Sequence, residues 1–184
     1  IIDFFLRIMA SFLPKKIVER TLYFMKRREG NAMETIEPII RQHIFFKDIK
    51  EEYLSLIISC AKNVIFRPGE IILEEGKPSE YFYLIRGGVV AVEIAVDDNK
   101  PIVVQTISGG DILGWSWLIP PYHNRSNCRA VDLTRTIAFD GKCLRNKCEE
   151  NHDLGYDLLK RLAGVLAQRL EAARFQLINL YETK

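Results

Sequence analysis

The chain is poor in the residues from which reactive sites are usually built. Its 184 residues include 3 His, 4 Cys, 3 Met and 2 Trp. Cys60, Cys128, Cys143 and Cys148 lack the spacing of a secreted disulfide framework, and no signal-peptide pattern accompanies them. The expectation is therefore four free thiols in a reducing cytoplasm. Cys143, Cys148 and His152 fall at C-x4-C-x3-H spacing. Zinc sites usually have closer cysteines and a second pair of ligands, and iron–sulfur sites need more thiolates, so no metal is expected. No Ser/His/Asp set, carboxylate pair or Walker loop is present, which argues against an enzyme. A net charge of +2 gives no case for nucleic acid. Asp3 and Arg7 interrupt the apolar run Ile1–Leu13, and Pro14 ends it well short of the ~20 residues a bilayer span requires.

What is present is ordered along the chain. Residues 1–32 read as a basic amphipathic extension, with Lys15, Lys16, Arg20, Lys26, Arg27 and Arg28 interleaved with apolar residues. Such a segment packs on a domain or partner, lies on an anionic membrane surface, or stays an appendage. Residues 34–62 predict two short helices, the first starting near Thr35 and Pro38, the second capped by Asp48. Cys60 reads as a small buried hydrophobe at the end of this region. From Asn63 the period shortens. Apolar strands at 64–66, 71–73, 81–85, 89–96 and 101–107 alternate with Gly, Pro and Asn/Asp turns, and 128–139 supplies one or two more. This predicts an α+β chain with an antiparallel, jelly-roll-like β-roll.

A short helix capped by Asp140 follows, and then one long helix. In the long helix Tyr156, Leu159, Ala163, Leu166, Leu170, Ala173, Leu177 and Leu180 recur at alternating steps of three and four, a coiled-coil seam. Leu158, Leu162, Val165 and Phe175 widen the apolar surface. One face is expected to cover the roll and the seam to meet a second copy, giving a homodimer through the Tyr156–Leu180 helix. The predicted boundaries are 1–32, 33–151 and 152–184.

The stretch Ile107–Cys128 holds the candidate site. A tight Gly109-Gly110 turn leads into Leu113-Gly114-Trp115-Ser116, and Arg125-Ser126 follows about ten residues later. Free backbone amides near glycines, together with an arginine fork, suit a phosphate. Gly110, Leu113, Gly114, Trp115, Ser116, Arg125 and Ser126 are therefore the candidate ligand-binding residues. Arg129 is a fallback if the register slips. Trp115 and Trp117 alternate, so they are expected to face different ways, as core, pocket lining or a stacking platform. Pro120-Pro121-Tyr122 reads as a lid over the pocket mouth.

Val64-x-Phe66-x-x-Gly69-x-x-Ile72-x-x-x-Gly76, Phe82-Tyr-Leu-Ile85-x-x-Gly88-x-Val90-x-Val92, Ile107-x-x-Gly110-Asp111-x-Leu113-Gly114 and Arg125-Ser126 occur in order. In these motifs residues 36–181 resemble the cyclic-nucleotide-binding domain, most closely Crp/Fnr-type sensor domains. The resemblance implies a regulatory domain that binds cAMP, cGMP or a related phosphorylated molecule and signals through its dimer helix. It also implies that the cassette glycine backbone and Arg125 hold a phosphate. No winged helix-turn-helix pattern follows the long helix, so no DNA-binding domain is expected in this chain. In one respect the sequence departs from the family: the cassette's ribose-binding glutamate is replaced by Trp115. Weakened nucleotide binding is expected, and the alternative is a degenerate module that binds no nucleotide and serves as a protein- or membrane-interaction domain.

Overall fold

The computed structural model describes residues 36–95 and 101–182. The basic segment 1–32 and the predicted 97–100 turn lie outside them. Residues 1–39 and 40–184 separate into two units, the second holding everything described below except residues 36–39. Helix α1 (Ile36–Gln42) straddles the boundary, and a 3-10 turn (Ile44–Phe46) and α2 (Glu51–Ile58) follow. Asp48 does not cap α2. Lys50 occupies the N-cap without a side-chain bond, while Asp48 sits in the preceding turn at φ 59°. Asp tolerates that left-handed conformation better than most residues.

Eight strands form two four-stranded sheets. They are β1 (Ala61–Phe66), β2 (Ile71–Leu73), β3 (Tyr81–Gly87), β4 (Val89–Ile94), β5 (Ile102–Ser108), β6 (Ile112–Leu113), β7 (Asn127–Ala130) and β8 (Thr134–Asp140). The orders are β1-β8-β3-β6 and β2-β7-β4-β5, with every pairing antiparallel. This is the predicted roll, with β6 as a two-residue addition. The core between the sheets is aliphatic around Ile85, Val90, Ile107, Leu113 and Ala130. Phe45, Phe46, Phe82, Phe139 and Trp117 form an aromatic cluster beside it.

Two helices close the chain, α3 (Gly141–Glu150) and α4 (His152–Glu182). Asp140 caps α3 by accepting from the Cys143 amide at 2.7 Å. Asn151 Oδ1 accepts from the Leu154 amide and starts α4 in the same way. Leu154, Leu158 and Leu162 recur every four residues and are buried, so the first half of α4 packs inward along one stripe. Arg161 fixes that half by bonding Asp157 and the carbonyls of Phe45 and Lys47. Along α4, Tyr156, Leu159, Leu170, Phe175 and Leu177 are exposed. No helix among the described residues is long and apolar enough to cross a membrane.

The cysteines depart from expectation. Cys60 and Cys143 form a disulfide across 83 residues, and only Cys128 and Cys148 are free. The bond joins the end of the α2 region to the first turn of α3. Burial pushes both remaining thiols up to about 11, so they stay protonated at neutral pH. Among the described residues nothing groups three or more His, Cys, Asp or Glu around a potential metal.

Candidate functional site

The site is built on Gly114. Its φ of 83° is left-handed, and an added Cβ would stand 2.8 Å from the Tyr81 carbonyl. Only glycine fits there without strain. Through it the chain leaves β6 and winds into a 3-10 turn, Trp115–Trp117. The amides of Trp115 and Ser116 open that turn, where helical N–H groups have no intrahelical partner. The two tryptophans part as expected. Trp117 is 1% exposed and packs against Phe82, whereas Trp115 is half-buried and lines a cavity.

That cavity, about 270 Å³, is walled by Leu113, Gly114, Trp115 and Ser116 on one side and by Asn124, Arg125 and Ser126 on another. Six of the seven candidate residues thus share one space. Gly110 does not. At φ 95° it turns the chain ahead of β6, bonds the Ile85 carbonyl, and lines a neighbouring cavity of about 380 Å³ with His43, Asp111 and Arg161. Its role is to place the strand that leads into Gly114.

Arg125 is exposed, and no hydrogen bond or ion pair engages its guanidinium among the described residues. Arg129 is tied elsewhere. Its Nε donates to both oxygens of buried Glu93, at 3.1 and 3.3 Å, and its Nη1 donates to the Gly69 carbonyl. The partner explains why that carboxylate can be buried at all. The fallback candidate is therefore a structural arginine outside the cavity wall.

The Pro120–Tyr122 segment is not a lid on this cavity. The peptide between Pro120 and Pro121 is cis, the Tyr122 carbonyl accepts from Ser79, and Arg145 lies 4.6 Å over the Tyr122 ring. The segment is fastened to the 78–79 turn and to α3 instead.

The third wall comes from the long helix, whose Arg169 was not among the predicted site residues. Leu166, Arg169 and Leu170 of α4 enter the cavity lining. Leu166 and Leu170 were expected purely as seam residues. Arg169 is partly buried, donates to the Ile112 carbonyl and borders both cavities. Burial lowers its pKa, while Asp111 and Cys128 pull it the other way. The guanidinium still carries its charge at neutral pH.

Comparisons with known proteins agree with this geometry. Residues 63–151 match the family model of the cyclic nucleotide-binding domain. A CRP-like cAMP-activated global transcriptional regulator of Mycobacterium tuberculosis is 21% identical over 148 residues, covering 80% of this chain and 64% of that protein. The chain thus spans just under two-thirds of that relative's length. Among solved structures, a Geobacter metallireducens protein assigned to the cyclic nucleotide-binding proteins is 27% identical with a TM-score of 0.67, over 73% of this chain and 98% of that one. The regulatory subunit of a cAMP-independent protein kinase A from Trypanosoma brucei is 22% identical with a TM-score of 0.59, over 72% and 47%; that likeness shows the fold alone. The two-sheet roll, its glycine-borne turn and the matched segment together place residues 63–151 in the cyclic nucleotide-binding domain family.

Proposed function

We propose that the chain is a ligand-sensing regulatory domain of the cytoplasm, not an enzyme, and that it binds a cyclic nucleotide or related phosphorylated small molecule between Gly114–Ser116, Arg125–Ser126 and α4. One observation carries this reading: an arginine with no hydrogen bond or ion pair among the described residues lines the same space as a glycine-borne turn and the long helix. A phosphate there would receive turn amides and a charged fork. It would also touch α4, so occupancy biases how that helix sits on the roll, which is the differential contact a switch needs. The exposed seam residues suit a homodimer through Tyr156–Leu180, and such a dimer would carry the shift to whatever it regulates. The proposed division is a sensor at 33–151, a transmitting helix at 152–184 and the extension 1–32.

A second reading is favoured by Trp115. An indole lines the cavity where the family resemblance places the sugar-binding carboxylate. If Trp115 closes the space to nucleotides, the module works through the α4 stripe or, with residues 1–32, at an anionic membrane. Isothermal calorimetry with cAMP, cGMP and adenosine 5′-monophosphate on the wild type and Arg125→Ala separates the two readings. Binding that Arg125→Ala removes supports sensing. Absence of binding by both proteins supports the interaction module.

A further inference from the structure

The cavity is charged in one direction only. Its lining contains two guanidiniums, Arg125 and Arg169, and no carboxylate. They come from different bodies of the fold: Arg125 from the loop before β7, Arg169 from the middle of α4. Arg125 has no partner among the described residues, and the only hydrogen bond that Arg169 makes among them runs to a neutral carbonyl. Asp111, the carboxylate that acts on Arg169, lines the adjoining cavity instead. Two cations around one cavity repel each other, and Arg169, partly buried, has also lost part of its hydration. An anion between them relieves both costs, and one of charge −2 does so more fully than one of charge −1. A cyclic phosphodiester carries a single charge.

We propose that the ligand is a small phosphomonoester dianion, clamped between Arg125 on the roll and Arg169 on α4. This rests on reading the cavity as the ligand site and narrows the class of ligand. It also gives the switch a physical link, because the ligand's charge joins the roll to the transmitting helix directly. Arg125 and the turn amides hold one side of the phosphate while Arg169 is drawn toward the other.

The test compares adenosine 5′-monophosphate with cAMP, which share base and sugar and differ in charge. Binding is followed by calorimetry and by tryptophan fluorescence, with inorganic phosphate as competitor. A charge-assisted hydrogen bond corresponds to about a tenfold or greater effect, so the monophosphate should bind at least about tenfold tighter than cAMP. That preference should shrink below about pH 6, where the monoester takes up its second proton. Arg169→Gln should erase the preference and Arg169→Lys should retain most of it. If Arg169 merely supported the fold, both ligands would weaken together and their ratio would hold. Binding of cAMP as tight as the monophosphate, or a ratio unchanged in Arg169→Gln, overturns the inference and leaves the nucleotide-sensing reading standing. If the monophosphate, cAMP and phosphate all fail to bind, both fall.

Discussion

Reduction of the Cys60–Cys143 bond should destabilise the domain by an amount its loop length sets. The bond closes 83 residues, from the end of the α2 region to α3. Its Cα–Cα distance of 5.8 Å is ordinary for a disulfide. In the chain-entropy account, a loop of that length removes about 15 cal/mol/K from the unfolded ensemble, or about 4.5 kcal/mol at 25 °C. For a domain of this size each kcal/mol moves Tm by about 2–4 °C, so a fall of roughly 10–15 °C is expected. Circular-dichroism melts before and after treatment with a phosphine reductant measure it. Cys60→Ser/Cys143→Ser should melt near the reduced wild type and ignore the reductant. Protein purified without reductant should show two thiols in denaturant, those of Cys128 and Cys148. Four titratable thiols, or a Tm unmoved by reduction, would refute the reasoning. Disulfides are rare in a reducing cytosol, so the same titration on freshly lysed cells also tests the proposed compartment.

Three other outcomes follow from the geometry. Trp115→Glu puts a carboxylate into the cavity wall; it should tighten cAMP about ten- to a hundredfold by calorimetry while weakening adenosine 5′-monophosphate, and no gain for cAMP would mean that the position does not meet the sugar. Leu177→Asp places a charge in the exposed seam of α4 and should shift sedimentation from dimer to monomer with little change in Tm, whereas an unchanged dimer would locate the interface elsewhere. His43 is held below its usual pKa, first by burial, against the opposite pulls of Asp111 and the Gly110 backbone. Its Nδ1 accepts from the Phe45 amide, so the neutral ring is the form the fold uses. The stability it contributes is present above about pH 6.5 and lost as pH falls through its lowered pKa; urea titrations across pH 4–7 should therefore show a steeper acid loss in the wild type than in His43→Asn, and equal slopes would exclude the effect.

The roll was legible because its signals are local. Gly69, Gly76 and Gly88 take left-handed φ where the turns were expected, and β1, β2, β3 and β5 lie close to their predicted spans. The Asp140 cap was readable for the same reason. The cassette carried its own spacing, so Gly114 and Arg125 could be named in advance. Features set by distant parts of the chain could not be read this way. Nothing near Cys60 indicates that it meets Cys143. β6 is two residues long and exists because β3 pairs with it. Leu166 and Leu170 obey the seam's period yet also line the cavity, since a helix lying across a roll serves two surfaces at once. Arg169 carries no motif. Only the crossing of α4 over β6 gives it a place beside the site.

The central claim is that the space between Gly114 and Arg125 binds a phosphate-bearing ligand and passes the event to α4. Hydrogen exchange on the purified protein, with and without saturating cAMP or adenosine 5′-monophosphate, tests it most directly. The account predicts slowed exchange in two places, the 113–117 turn and residues 165–170 of α4, both lost in Arg125→Ala. Unchanged exchange at both, with either nucleotide at millimolar concentration, would contradict it.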